Sequence, residues 1–488
     1  MISNQTEHFD VLVVGAGLSG VGAAWHLQTM CPDRTFAILE GRGRLGGTWD
    51  LFRYPGVRSD SDMYTLGYRF RPWRDAKAIA DGPAIRAYIE DTARENGIDK
   101  KIRYHHRVVR AEWSSADARW TVDVAVGAEQ ALTRMTCGFL YSCTGYYDYT
   151  AGYTPEWAGT DRFGGRIVHP QHWPEGLDYS GKRVVVIGSG ATAVTLVPAM
   201  ATGADAAAHV TMLQRSPTYI AAQPTEDSIA NTLRRVLPDG LAYVVARWKN
   251  VLRSMFYYTL ARRRGPAFKG GLRKGLRHAL GPDYDVKKHF TPSYEPWDQR
   301  LCIVPDGDLF KAIRSGRASV ATDTIESFDE TGIMLRSGEH LDADLVVTAT
   351  GLVLTLFAGV TLVVDGQVVD LSRAMSYKGM MLSDVPNLAA ALGYTNASWT
   401  LKCDLVAQHV CRLLNHMKSR GYAQVTPRRD ASVTEEPILD FTSGYVQRAL
   451  ATLPKQGSRV PWKLHQNYMK DLAGLRWGRV ADPALEFR

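Results

Sequence analysis

Two glycine-rich turns carry the first residues in this chain suited to chemistry. Gly15-Ala-Gly17-Leu-Ser-Gly20 follows an apolar run from Val11 to Val14 and opens a helical pattern through Ala23, Ala24 and Leu27. A second apolar run, Phe36 to Leu39, ends at Glu40, twenty residues past Gly20. Strand, turn, helix, strand and acid in that order describe a dinucleotide site. The glycines admit a pyrophosphate to the backbone, where it rests on a helix N-terminus. The acid accepts from ribose hydroxyls. Glu40 would repel a 2′-phosphate, so FAD suits this site better than NADP. Arg183 to Ala193 repeats the arrangement as Gly188-Ser189-Gly190-Ala-Thr192-Ala193. Its next strand, Val210 to Gln214, ends in Arg215-Ser216 where the first unit has Glu40. Alone, Arg215 would read as a solvated strand-end charge. At this point of the unit it pairs with a 2′-phosphate, and NADPH is the expected ligand.

Two further stretches have fixed spacing. One is Gly46-Gly47-Thr48-Trp49, continuing through Tyr54-Pro55-Gly56 to Asp60. The other runs Phe163, Gly165, His169, Trp173, Pro174, in the form F-x-G-x-x-x-H-x-x-x-W-P. With both patterns complete, the sequence resembles the single-chain, NADPH-using Baeyer–Villiger monooxygenases, which are flavin-dependent. Asp60 to Gly67, Pro296 to Leu301, Gly393 to Thr400 and Pro454 to Arg459 look like the ethionamide-activating branch of that family. The likeness runs from about residue 8 to the C-terminus and is weakest over 218–300.

The resemblance implies a reaction. NADPH reduces FAD, O2 adds at the flavin C4a to give a peroxide, and the peroxide attacks a ketone to yield an ester or lactone. Sulfur in thioethers or thioamides, a soft nucleophile, would instead attack the hydroperoxide directly. The nearest alternative is an N- or S-oxygenating flavin monooxygenase without ketone activity, a group that usually lacks Trp173-Pro174. Arg300 corresponds to the family's active-site arginine, and Asp60 would hold its guanidinium in place. Negative charge develops on oxygen in such chemistry, and arginine stays charged where a buried lysine would not. Gly47, Thr48 and Trp49 would line the flavin. Tyr64 fits either a flavin contact or a core position. His169, between two prolines, fits a hinge better than a base, with Phe163 and Trp173 expected to anchor in two domains.

The elements that must position these residues describe an α/β protein: two Rossmann-like dinucleotide-binding domains, for FAD and NADP, with a helical insertion. Residues 1–148 and 352–488 are expected to form the FAD domain, and 149–177 a linker carrying the F-x-G-x-x-x-H pattern. The NADP domain would comprise 178–217 and 301–351, interrupted by helices over 218–300. Leu345 to Val364 has twenty uncharged residues, long enough for a membrane span. Gly351 and Gly359 divide it, so a strand, a turn and another strand are expected instead.

With 488 residues, 45% hydrophobic and 22% charged, the chain has the composition of an ordinary globular protein of two or three domains. Its six cysteines contain no C-x-x-C pair, so no zinc knuckle or redox dithiol is expected and no metal is assigned. Met1 to Asp10 is polar, so no signal peptide is expected and the location reads as cytoplasmic. The net charge of +8 is local: residues 231–278 hold twelve Lys/Arg against one acid, a net of +11, which leaves −3 elsewhere. A solvated cap over the substrate entrance is the favoured reading of this basic stretch, peripheral membrane contact the next. Nucleic acid is not expected, since no recognition motif accompanies the charge. The partners are then a small ketone or organosulfur substrate and O2.

Overall fold

A computed structural model describes residues 6–488; Met1–Gln5, half of the polar lead-in, lie outside the described residues. Strand β1 (Glu7–Val14) pairs in parallel with β2 (Phe36–Leu39) and with the second half of Ala131–Ser142. Helix α1 (Leu18–Met30) makes the crossover. Val11 and Val13 enter the core on one face of this sheet, Leu12 and Val14 the core on the other. That is why β1 reads as an unbroken apolar run: a parallel strand covered on both faces has no polar side. Burial of each such side chain contributes roughly 1.5–3 kcal/mol.

Ala131–Ser142 serves two arrangements. Its first half is the last strand of an antiparallel meander with Arg119–Val126 and His106–Ser114. Its second half joins the parallel sheet, where Leu388–Ala390 pairs with it. Thr361–Val364 adds to His106–Ser114, so the first sheet has nine strands drawn from both ends of the chain.

The second sheet has five parallel strands. β3 (Arg183–Ile187) lies between β4 (His209–Gln214) and Leu345–Thr348, and helix α2 (Ala191–Ala201) makes the crossover. Arg166–Val168, inside the expected linker, is the edge strand of this sheet. The chain passes between the two sheets twice, and the passages pair: Tyr147–Gly152 runs antiparallel to Leu352–Leu354. The uncharged run beginning at Leu345 thus forms three short strands, with Gly351 at φ +111° in the turn between the first two. No helix of the described residues is long and apolar enough to cross a membrane.

The insertion leaves through Ile220–Gln223 and returns through Cys302–Pro305, which pair in parallel. It holds α3 (Ser228–Val236), α4 (Asp239–Arg263) and α5 (Gly265–Leu280). Asp227 caps α3, its Oδ1 accepting from the Ala230 N–H at 3.0 Å. Its Oδ2 binds Lys249 and Asn250, which fixes α3 to α4. Tyr243, Ala246 and Val251 of α4 enter the core of the first domain, while Leu276 and Leu280 of α5 enter that of the second. Near the C-terminus, α6 (Trp399–Arg420) lies along α1, joined to it by a buried 2.8 Å bond from His26 Nε2 to Asp404 Oδ1.

Candidate active site

The first dinucleotide turn is built on close approach. Gly15 has φ +102°, and a Cβ there would fall 2.7 Å from the Cys143 carbonyl oxygen. A Cβ on Gly17 would meet the Gly47 Cα at 3.5 Å, so these two glycines form the walls of a narrow cradle. Glu40 is buried at the end of β2. Its Oε2 accepts from the Ala16 N–H at 2.8 Å and its Oε1 from the Arg42 N–H at 2.9 Å. Burial raises its pKa, while those two N–H groups and the Arg42 charge pull the other way. Gly15, Gly17, Glu40, Gly47, Thr48 and Trp49 all line one cavity of about 730 Å³. Gly20 is not on its surface; it lets α1 close against Gly15, whose oxygen would lie 1.9 Å from a Cβ on Gly20.

The same cavity is walled by the second domain. Thr192, in the first turn of α2, lines it along with Ala191 and Thr195. Thr192 sits beside the buried Tyr54, whose hydroxyl pKa burial pushes up to about 12. Gly56 explains the fit between the two parts. Its φ is +75°, and a Cβ would lie 2.6 Å from the Ala199 Cβ and 3.0 Å from the Thr195 carbonyl oxygen. The Tyr54-Pro55-Gly56 turn therefore seats directly on α2.

The rest of the second turn faces away from this cavity. Ser189 Oγ donates to the Ser216 carbonyl at 3.1 Å and bonds the Thr218 hydroxyl at 2.7 Å. Gly188 packs against the Ala349 carbonyl, and Gly190 at the start of α2 faces open space. Arg215 and Ser216 are exposed at the end of β4.

Arg300 and Asp60, 240 residues apart, form an ion pair inside the cavity. Arg300 stands two residues before the paired strand Cys302–Pro305, after a turn in which Trp297 holds φ +73°. Asp60 is the largest influence raising the Arg300 pKa, followed by burial in the opposite direction. Beside the pair stand Tyr146 and Tyr147, with hydroxyls 2.7 Å apart; Tyr146 stacks on Trp399 at 4.8 Å between ring centres. The glycine cradle and the Arg300–Asp60 pair with its aromatic neighbours thus share one cavity.

Residues 13–78 match the NAD(P)-binding Rossmann-like domain, and residues 78–381 match the flavin-binding monooxygenase-like family. The FAD-containing monooxygenase EthA of Mycobacterium tuberculosis is 57% identical over 484 residues, covering 99% of this chain and 98% of its own length. EthA of Mycolicibacterium smegmatis is 55% identical over 488 residues, with the same coverage. The chain belongs to the flavin-binding monooxygenase-like family. Among solved structures, oxidized steroid monooxygenase bound to NADP superposes with a TM-score of 0.74 at 22% identity, covering 98% of this chain and 99% of that one. Cyclohexanone monooxygenase bound to epsilon-caprolactone gives 0.77 at 17% identity, covering 99% of this chain and all of the other. At those identities the likeness is one of fold: two Rossmann-like units with inserted helices.

In this family member the structure decides the open choice at Tyr64 and changes the expectation for the F-x-G-x-x-x-H stretch. Tyr64 does not line the cavity; it is 1% exposed, in the core, with its ring 6.2 Å from that of Tyr243 on α4. Phe163 and Trp173 do not anchor in two domains. Phe163 packs with Phe328 and Val185, and Trp173 against the core containing Val184 and Val186, so they grip opposite faces of the same five-stranded sheet. Gly165 leaves room for the Phe163 ring, which a Cβ would meet at 2.5 Å, and Pro174 directly follows Trp173. The F-x-G-x-x-x-H stretch is consequently part of the second domain, and the joints are the paired passages at Tyr147–Gly152 and Leu352–Leu354.

His169 sits on those passages. Its Nδ1 accepts from the Gln171 N–H at 3.1 Å, which leaves Nε2–H to donate to the Gly351 carbonyl at 3.3 Å. A Cβ on Gly152 would collide with the ring, at 1.9 Å. Burial lowers its pKa. Both ring nitrogens are engaged by backbone, a positioning arrangement.

Sequence reasoning did not single out Arg58, Asp50, Tyr146 or Tyr147. Arg58 pairs with Asp308 of the second domain and so ties the Asp60 segment across. Asp50, 2% exposed, gathers Arg42, Arg53 and Arg86 around the glycine cradle. The tyrosines directly follow Thr144-Gly145 after Ala131–Ser142, a central strand of the first sheet, and that Thr-Gly ending was the one local signal near them.

Proposed function

We propose that this chain is an NADPH- and O2-dependent FAD monooxygenase that converts ketones to esters or lactones and oxygenates sulfur in thioethers or thioamides. The observation that carries the proposal is the pairing of Arg300 with Asp60 in a cavity whose walls come from both dinucleotide turns. In this reading the nine-stranded domain holds FAD and the five-stranded domain NADPH. EthA, named as FAD-containing, supports the first assignment, and the steroid monooxygenase bound to NADP supports the second.

The residues present fit both groups. The Gly17–Gly47 cradle is a space that a Cβ would fill, and it lies beside the N-terminus of α1. Glu40, its carboxylate held by two N–H bonds, keeps lone pairs for ribose hydroxyls. Gly190 leaves the α2 N-terminus open to a phosphate, and Arg215 matches a 2′-phosphate. Bound flavin supplies acceptance of hydride from NADPH and activation of O2. Thr192 and Thr195 place the second domain against the flavin cavity, where nicotinamide has to arrive. Arg300 presents a permanent positive charge where negative charge builds up on oxygen, the position at which a preorganised cation lowers a barrier most. Asp60 orients that guanidinium. Tyr146, Trp399 and Leu66 exclude water from the same cavity and give an apolar substrate a surface to lie on.

Purified yellow protein should consume NADPH in response to a ketone and to a thioether, with one atom of labelled O2 in each product by mass spectrometry. A sulfoxide without any ester would favour the N/S-oxygenating alternative. Protein without flavin, or NADPH consumption without labelled product, would end the proposal.

A further inference from the structure

The insertion carries a surface that the cavity does not use. On α4, Leu241, Val244, Val245, Trp248, Leu252 and Phe256 all face solvent. Steps of three and four residues place them in one stripe along the helix. The opposite face is locked down: Tyr243 and Arg247 are buried, and the Arg247 guanidinium donates to the Tyr64 and Gly67 carbonyls at 2.6 and 2.9 Å. α4 cannot rotate to hide the stripe. Ile229 and Val236 on α3, the helix that Asp227 fixes to α4, are also exposed, at 57% and 70%. Exposed Met469 follows Tyr468, whose ring lies 6.0 Å from that of Trp248. A contiguous apolar surface of this kind marks an interaction site.

Charge selects the partner. Arg253 and Arg263 on α4, Arg264 just after it, and Arg273, Lys274 and Arg277 on α5 are exposed, and the only acid from 231 to 278 is Asp239. Arg263 continues the stripe's own face beyond Thr259. Two copies of the chain meeting here would set these exposed cations, Arg263 on the stripe among them, against each other. Nucleic acid would match the charge and leave the aliphatic stripe in water. An anionic lipid surface satisfies both features: the apolar face sinks into the headgroup boundary, arginines reach lipid phosphates, and Trp248 sits at the interface. No helix of the described residues can span a bilayer, so the contact is superficial.

We propose that α3 and α4 dock this protein on the surface of an anionic lipid bilayer. The face of α4 away from the stripe holds the Tyr64–Gly67 turn, whose Leu66 lines the cavity. Docking thus sets the cavity about one helix diameter, ~10 Å, from the lipid. The proposal stands on the surface alone and does not depend on the reaction assigned above.

The test uses full-length holoenzyme sedimented with vesicles of phosphatidylcholine plus phosphatidylglycerol, and with phosphatidylcholine alone, at low and high salt. The protein should pellet with anionic vesicles and be released by salt. L252E/F256E and R263E/R264E should each weaken partitioning at least about tenfold, with melting temperature and substrate-driven NADPH oxidation in vesicle-free buffer unchanged. Native protein left in the supernatant with anionic vesicles at low salt overturns the proposal. So does either double variant binding as well as native. A change in oligomeric state of L252E/F256E by analytical ultracentrifugation, with vesicle binding intact, would make the stripe a contact between copies instead.

Discussion

Replacing Arg300 by alanine separates its structural from its chemical contribution. The guanidinium and its Asp60 partner are 33% and 42% exposed as side chains. At that exposure solvent screens the pair, and it contributes at most about 1 kcal/mol to folding. The melting temperature should fall by no more than about 2 °C. The charge acts differently on an oxygen that becomes negative during the reaction. Loss of one preorganised partner for such an oxygen costs about 10²–10³ in rate, or about 3–4 kcal/mol. Arg300→Ala should therefore bind flavin, be reduced by NADPH at the native rate in anaerobic stopped flow, and lose ester formation by two to three orders (about 10²–10³). Arg300→Lys should recover part of that loss, since an ammonium lacks the planar fork that Asp60 aligns. Product formation by Arg300→Ala at the native rate would refute the assignment. A parallel fall in flavin reduction would also refute it, because the charge would then act on cofactor binding.

Arg215→Gln should raise the KM for NADPH by about ten- to a hundredfold, the worth of one charge-assisted bond of roughly 1.5–3 kcal/mol, while NADH kinetics stay put. Equal losses with both nucleotides would remove Arg215 from 2′-phosphate recognition. His409 predicts a pH dependence of stability. It is 0% exposed and donates Nδ1–H to the Leu475 carbonyl at 2.9 Å. Burial lowers its pKa from 6.5 to about 4. An unfolded chain takes up this proton near pH 6.5, the folded chain not until about pH 4. Stability is therefore full above pH 6.5 and falls as pH drops to about 4, by about 3 kcal/mol in total. His409→Gln should flatten that part of the melting-temperature profile; an unchanged slope would assign it to other groups.

Much of the molecule was legible along the chain. The apolar strands β1 and β3, their glycine turns and the ends at Glu40 and Arg215 are set within a few dozen residues. There, backbone hydrogen bonding and the spacing of apolar residues act at short range. The insertion helices were readable for the same reason, as was the splitting of Leu345–Val364 by its glycines. Local pattern could not tell whether Tyr64 faces a cavity or a core. Both settings want an aromatic ring, and the choice is made by α4, which arrives nearly two hundred residues later and covers it.

The two anchors of the F-x-G-x-x-x-H stretch show the same limit. Phe163 and Trp173 are ten residues apart, a span that would suit a linker between domains. They hold one domain because Arg166–Val168 between them pairs with Leu345–Thr348 and sends the chain from one face of the sheet to the other. A sequence records which residues are apolar, not which sheet edge is vacant. Likewise, the family resemblance made Arg300 and Asp60 candidates, yet their meeting required the insertion to leave and return through paired strands. Charge pairing across 240 residues costs chain entropy that no local interaction offsets; the packing of two sheets and a helical clamp provides it.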